Sequence, residues 1–349
     1  MKAVRMYAPK DLRVENIDLP TIKKDEVLLR VAAVGICGSD IPRANTYGAY
    51  FSPIILGHEF SGVVEKVGED VSESRIGESV VVLPLIPCFE CHWCQKGKYS
   101  LCEKYDYYGS RRDGAMAEFV AVKEMSLLSL PKDISMEDAA SIDPAANAAH
   151  AMTAANFTPD DTVCVCGCGP IGLFAVQYAK IKGAKRIIVA DIIDKKLEIA
   201  KNLGADVVIN VAEEDMPEAV KKATDGVGAS VVIETSGVPS SQALCIRSAS
   251  KLGRVVILGI SHKGLNLSEK EVDWIMRAEL EIKGSWNSFT SPFPGNDWTE
   301  SIKLMDEYGM TAKDIITHRL SLDDAPEMLL KMGTPGTYFG KVMFFPGGI

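Results

Sequence analysis

No stretch of this chain approaches eighteen uninterrupted apolar residues, so the sequence offers nothing to span a membrane. An excess of basic residues is also missing. The formal charge is −9, which argues against nucleic acid or an anionic membrane surface as the main partner. The opening Met1-Lys2-Ala3-Val4-Arg5-Met6-Tyr7 has neither a long apolar core nor a small-residue cleavage site, and it reads as a first strand in a cytoplasmic protein. Internal repeats and low-complexity tracts are absent too. With 47% apolar and 24% charged residues over 349 positions, the expectation is an ordinary globular protein of two domains.

The nine cysteines are an odd number, and four of them, Cys88, Cys91, Cys94 and Cys102, crowd into fifteen positions. In a long chain without a leader, that crowding points to metal binding rather than a disulfide framework. The pattern C-x2-C-x2-C-x7-C places four thiolates on a short loop, as a closed tetrahedral zinc site requires. A closed site has no position for substrate, so its role is to hold the loop in one shape. The rival is an iron–sulfur cluster, but bacterial ferredoxin motifs continue with x3-C-P. Here the last gap is seven residues and Glu103 follows Cys102.

The chain changes character near its middle. Before residue 150, short apolar runs at 27–34, 62–67 and 80–85 are broken by Gly and Pro, which reads as an irregular, mostly antiparallel β domain. Residues 143–150 are Ala-rich and helical in pattern. From Thr162 onward strands and helices alternate: strands at 161–166, 186–190, 205–210, 229–233 and 254–258, helices at 171–182 and 195–203. Such alternation gives a doubly wound parallel sheet, a Rossmann-type α/β domain. The expected division is 1–150 for the first domain, 151–284 for the nucleotide-binding domain, and a return of 285–349 to the first.

Gly167-Cys168-Gly169-Pro170-Ile171-Gly172 fits Gly-x-Gly-x-x-Gly. Its weight comes from context: it follows a strand, opens a helix, and is followed by a second strand ending in Asp191. Gly167 allows the tight turn, Gly169 lets backbone approach a pyrophosphate, and Gly172 lets helix pack on sheet. The helix N-terminus supplies unpaired N–H groups and a positive dipole end. Asp191, 24 positions after Gly167, can accept hydrogen bonds from ribose hydroxyls and would repel a 2′-phosphate. Ile192 rather than Arg comes next, so NAD is favoured over NADP. Cys164 and Cys166, on one face of a strand, read as small buried hydrophobes; Cys168, in the phosphate turn, and Cys245 read as structural.

Outside the cysteine loop, the residues suited to a catalytic metal are Cys37, His58 and Glu59, within Gly35-Ile36-Cys37-Gly38-Ser39-Asp40 and Gly57-His58-Glu59-Phe60. Each is weak singly, and spacing alone does not join Cys37 to His58. Taken together and in order, Gly57-His58-Glu59-x-x-Gly62, the four-cysteine loop and the nucleotide fingerprint resemble the zinc-dependent medium-chain dehydrogenases over essentially the whole chain. That resemblance implies a GroES-like catalytic domain, NAD as cofactor, and two zinc ions per chain, one structural and one catalytic. It implies Cys37 and His58 as ligands of the catalytic zinc, with Glu59 bound directly or through water.

In the polyol branch a Glu-Pro pair often completes the ligand set, and here that pair is Asp143-Pro144. Asp143 therefore joins the candidate metal ligands. Ser39 is implied as a relay for the alcohol proton, the alternative being a turn hydroxyl bonded to backbone. Asp40 is a candidate contact to His58. Zinc makes a bound alcohol acidic near neutral pH, and the resemblance implies that it sits beside the nicotinamide, between the domains. The assembly implied is a homodimer or homotetramer.

Residues 84–89, 109–114, 284–287 and 291–295 resemble the polyol branch most closely. The substrate implied is a polyol phosphate of the galactitol 1-phosphate type, oxidised at a secondary alcohol. The alternatives are a free polyol such as sorbitol or iditol, another secondary alcohol, and a regulator that binds NAD or sugar phosphate without turnover. A phosphate needs cations, and Arg43, Arg111, Arg112 and Lys341 are the candidates. Trp286 and Tyr47 are candidate pocket aromatics.

Overall fold

The computed structural model describes residues 1–261 and 263–348. It divides the chain into two compact units. One contains Met1–Asp143, Phe289–Trp298 and the chain from Thr311; the other contains Pro144–Ser288 and Thr299–Met310.

The first unit is built on a seven-stranded sheet. Its order runs Leu127–Ser129, Ser79–Val82, Glu59–Val67, Glu26–Gly35, Lys341–Phe344, Ile316–Leu320, with Phe119–Lys123 also pairing to Glu26–Gly35. All pairings are antiparallel except the one between Ile316–Leu320 and Lys341–Phe344. Glu26–Gly35 is central because it is apolar on both faces: Val27, Leu29, Val31 and Val34 are all buried. Its one charged outlier at mid-strand, Arg30, points outward and pairs with Glu65 at 3.2 Å. The run expected as one strand at 80–85 is two pieces, Ser79–Val82 and Leu85–Ile86, with Pro84 between them. Proline cannot donate to a ladder, and the second piece pairs instead with Asp106–Tyr107.

The second unit holds a six-stranded, wholly parallel sheet. The order is Val207–Asn210, Arg186–Asp191, Thr162–Cys166, Ala229–Glu234, Ala249–Ile257, Glu281–Gly284. Numbered along the chain this is 3-2-1-4-5-6, the doubly wound order, which switches direction between Thr162–Cys166 and Ala229–Glu234. The strands are β-branched runs buried on both faces, as crossover helices demand. Pro170–Ile181 begins with Pro at its first turn, and the Asp215 side chain caps Met216–Ala223 by accepting from Glu218 N at 3.0 Å. Cys164, Cys166 and Cys245 lie in the core of this unit beside Ile188, Val232 and Val255. Among the described residues no helix is long and apolar enough to cross a membrane.

Candidate functional site

Two adjacent strands bring the candidate metal ligands together. Gly35, at the end of Glu26–Gly35, lies opposite Glu59, the first residue of Glu59–Val67. The chain continues from Gly35 to Cys37, and His58 immediately precedes Glu59. Register alone therefore collects Cys37, His58 and Glu59, whose ligand atoms all lie within 4.8 Å of one another. His58 and Glu59 are buried and Cys37 is half-buried.

Asp40 is fully buried and organises two of the three. One carboxylate oxygen accepts from the Cys37 N–H at 3.1 Å, and the other lies 3.5 Å from His58 Nδ1. With Nδ1 facing a carboxylate, Nε2 is the nitrogen left to act as a ligand. Burial opposes charge on the His58 ring, but Asp40 and then Cys37 outweigh it and hold His58 well above the usual histidine range. Burial likewise raises the Cys37 thiol, yet the adjacent His58 carries it below its ordinary value. One thiolate, one imidazole and one carboxylate form a donor set that suits zinc and leaves a fourth position open. Ser39 sits half-buried two residues from Cys37, and its hydroxyl makes no hydrogen bond to the described residues, backbone included.

Asp143 does not join this group. It lies in the first turn of Ile142–Ala154, buried, with a side chain one methylene shorter than glutamate. Its charge falls on Tyr107, whose hydroxyl is held well above the ordinary tyrosine range, first by burial and then by Asp143. Sequence reasoning did not find Tyr107. Its ring stands edge-on to His58 with centroids 5.4 Å apart, and no local motif marks it.

The four-cysteine loop converges as the spacing predicts. Cys88, Cys91, Cys94 and Cys102 lie within 4.8 Å of one another, with Sγ–Sγ distances of 3.9 Å for Cys88–Cys94 and 3.4 Å for Cys88–Cys102. Zn–S bonds of about 2.3 Å in a tetrahedron put sulfurs roughly 3.8 Å apart, so the arrangement fits one central ion. All four thiols are free of disulfide. Backbone N–H groups face them: that of Cys94 leads in lowering the Cys91 thiol to about 6. The Phe289–Trp298 segment braces the loop. Its Phe289 N–H donates to Ser100 Oγ at 2.8 Å, and Phe293 packs edge-on against Phe89 and Tyr99.

The nucleotide fingerprint lies at the switch point of the parallel sheet. Gly167 has φ +101°, and a Cβ there would meet Thr235 Oγ1 at 2.8 Å. Gly172 has no room either: its Cβ would stand 2.0 Å from the Gly167 carbonyl oxygen. Gly169 differs, with nothing within 4 Å of its Cβ position. It caps Pro170–Ile181 and opens onto free space at a helix N-terminus, as a pyrophosphate requires. Asp191 ends the next strand. It accepts from Cys168 N at 2.6 Å, Ile192 N at 2.7 Å and Ile193 N at 3.0 Å, so the carboxylate is fixed against the fingerprint turn.

The candidate substrate residues separate sharply. Arg112 is committed inward, to Glu26 and Asp106 at 3.3 Å each and to the Tyr108 hydroxyl. Lys341 is also unavailable to a phosphate: it is buried and ion-paired with Glu59. Arg111, in contrast, lies over Tyr105 and Tyr50 at 4.1 and 4.5 Å, and Arg43 over Tyr50 at 5.6 Å, with no carboxylate partner for either among the described residues. Tyr105 packs on Tyr107, and Tyr107 on His58, which ties Arg111 to the metal-ligand cluster. Tyr47 is exposed in the π-helical segment Arg43–Tyr47, and Trp286 is half-exposed in the second unit.

Residues 170–307 match the zinc-binding dehydrogenase family, and residues 23–132 match the alcohol dehydrogenase GroES-like domain. Galactitol 1-phosphate 5-dehydrogenase of Escherichia coli K12 is 37% identical over 347 residues, covering 99% of this chain and all of that one. Sorbitol dehydrogenase of Bacillus subtilis is 32% identical, covering 99% of this chain and 97% of that one. The crystal structure of the Escherichia coli galactitol-1-phosphate dehydrogenase superposes with a TM-score of 0.94 at 36% identity, covering 99% and 100% of the two chains.

Proposed function

The chain belongs to the zinc-dependent medium-chain alcohol and polyol dehydrogenases, and from that premise we propose that it oxidises a secondary alcohol of a polyol phosphate, of the galactitol 1-phosphate type, with NAD as hydride acceptor. The observation that carries the phosphate is the pair Arg111 and Arg43. They are cations without carboxylate partners among the described residues; both lie over Tyr50, and Arg111 is linked through the edge-packed rings of Tyr105 and Tyr107 to the cluster of Cys37, His58 and Glu59. Guanidinium matches phosphate in charge and fork geometry.

Cys37, His58 and Glu59 hold the catalytic zinc in this reading, and Cys88, Cys91, Cys94 and Cys102 hold a second, structural one. When bound, zinc supplies Lewis acidity to an alcohol oxygen and NAD supplies the ring carbon that accepts hydride. The protein does the rest. Asp40 fixes the His58 ring, and the Ser39 hydroxyl, with no hydrogen bond among the described residues, would accept the alcohol proton and pass its own toward solvent. Gly169, with Pro170 and Ile171 behind it, opens the helix end to a pyrophosphate. Asp191 accepts from ribose hydroxyls and, with exposed Ile192 beside it, offers nothing to a 2′-phosphate. Asp143, which is not among the three converging donors, stays a candidate ligand that would reach the ion through a small backbone shift or through water.

Nine unpaired thiols suit a reducing, cytoplasmic compartment. A homodimer or homotetramer is the expected assembly. Support comes from the edge strand Glu281–Gly284 and the exposed Leu252, Met276 and Ile282 in the same unit. The similarity to a sorbitol dehydrogenase keeps free polyols as the second reading. The test is a panel of phosphorylated and plain polyols followed by NADH absorbance, with and without chelator. Turnover of galactitol 1-phosphate that falls in Arg111→Ala while turnover of plain polyols does not supports the phosphate reading; wild-type protein that uses plain polyols as well as galactitol 1-phosphate, with Arg111→Ala unchanged on both, overturns it.

A further inference from the structure

Lys341 is a charged side chain only 1% exposed, and nothing in the reaction as described uses it. It opens Lys341–Phe344, which lies beside Glu26–Gly35, which in turn lies beside Glu59–Val67. The ammonium crosses the middle strand, contacts Glu59 Oε2, and donates to the Ile36 carbonyl at 3.1 Å. The crossing passes over Gly35. A Cβ at Gly35 would stand 2.4 Å from Lys341 Cε, 2.8 Å from its Nζ and 3.0 Å from Glu59 Oε2. Gly35 lies within a regular strand and not at positive φ, so backbone conformation does not account for a glycine there. The space left for Lys341 does.

A buried ion pair that served only packing could be replaced by apolar side chains at little cost. This pair is made with one of three residues that converge on a metal position, and it occupies one specific oxygen of that residue. We propose that Lys341 is a positioning residue for the catalytic metal. It holds Oε2 of Glu59 so that this side chain presents only its other oxygen to the ion, and a coordination position stays open for the alcohol. Gly35 is the second part of the device, since it provides the path. The proposal rests on the reading of Cys37, His58 and Glu59 as metal ligands.

The test uses the full-length protein loaded with cobalt(II), whose visible bands report ligand number at a tetrahedral site. In Lys341→Met, the freed Glu59 closes on the metal and a neighbouring positive charge is lost. The bands shift and weaken, and cobalt at this site is lost to a chelator about tenfold more slowly, within the range by which such outer contacts alter affinity. Lys341→Arg keeps the wild-type spectrum. In Glu59→Gln/Lys341→Met, both properties return to those of Glu59→Gln alone. A Lys341 that was merely structural predicts the reverse, faster metal loss, and that result or an unchanged spectrum overturns the proposal. If Lys341→Met does not fold, Gly35→Ala applies the test with both charges kept. A shift in the same direction supports the proposal, and wild-type bands in a folded Gly35→Ala overturn it. Equal cobalt uptake by wild type and Cys37→Ser would instead reject the metal site itself, and the proposal with it.

Discussion

Two glycines of the nucleotide fingerprint, three residues apart, should respond in opposite ways to one added methyl group. In Gly172→Ala the new Cβ meets the Gly167 carbonyl oxygen at 2.0 Å and Thr235 Oγ1 at 2.9 Å. Backbone must move, and overpacking of this kind costs about 1–3 kcal/mol. The unit that carries it is of a size for which 1 kcal/mol shifts Tm by roughly 2–4 °C, so the melting transition should fall by about 2–12 °C. In Gly169→Ala the Cβ meets nothing within 4 Å, and φ −72°, ψ 176° is open to alanine. The stability cost is limited to a poorer N-cap residue, about 0.5–1 kcal/mol. The methyl nevertheless enters the space assigned to the pyrophosphate. NADH binding should weaken by about tenfold or more, equivalent to 1.4 kcal/mol. Differential scanning calorimetry and calorimetric titration with NADH read the two effects separately. A Gly169→Ala protein that binds NADH like wild type would refute the cofactor assignment, and a Gly172→Ala protein with unchanged Tm would refute the packing argument.

The arginines make a second paired prediction. Arg112→Ala leaves the buried Glu26 without its cation and should cost about 1–3 kcal/mol in chemical denaturation, with the ratio of activities on phosphorylated and plain substrates unchanged. Arg111→Ala loses only exposed ring contacts, about 0.5–1 kcal/mol, yet should raise KM for the phosphorylated substrate alone. Asp191→Ser removes charge-assisted bonds worth about 1.5–3 kcal/mol. Its kcat/KM with NAD should fall about tenfold to a hundredfold while its activity with NADP does not, and equal losses with both would contradict the ribose role.

How much was legible depended on how local the determining interactions are. The four-cysteine loop and the nucleotide fingerprint are written in residues within fifteen and six positions, and both form as their spacing predicts. The parallel sheet was readable because its strands are uninterrupted β-branched runs between helical periods. Strand limits were less so: the run at 254–258 belongs to the longer strand Ala249–Ile257, whose earlier residues Lys251 and Leu252 are exposed and carry no burial signal. Lys341 reads in sequence as a candidate cation for phosphate, but it is buried against Glu59, a partner that lies far away in sequence and is reached only through strand pairing across Gly35. Arg111 and Arg112 are neighbours with the same chemistry. Only the fold turns one onto tyrosine rings and the other toward Glu26. The convergence of Cys37 on His58 needed the family resemblance for the same reason.

The metal cluster and the buried Asp161 differ in how completely their charges are satisfied. Asp161, in the second unit, accepts from Thr158 N at 2.8 Å, Ser230 Oγ at 2.7 Å and Arg254, which is a closed structural network. Asp40 is fully buried, yet its Oδ1 has no hydrogen bond among the described residues, with His58 Nδ1 at 3.5 Å. A buried acceptor left in that state costs about 1–3 kcal/mol, and the negative charges near it lower the cost of admitting a cation. A divalent ion should therefore stabilise the first unit beyond what the cysteine loop alone explains. At free zinc a hundred times Kd, mass action predicts about 2.7 kcal/mol from each site occupied. Thermal melts of metal-stripped protein across a zinc titration should show this gain in two parts. Cys37→Ser should lose one part and keep the other, whereas Cys102→Ser should do the reverse. If Cys37→Ser shows the full wild-type gain, the cluster at Cys37, His58 and Glu59 does not hold the ion, and the unsatisfied Asp40 oxygen needs another account.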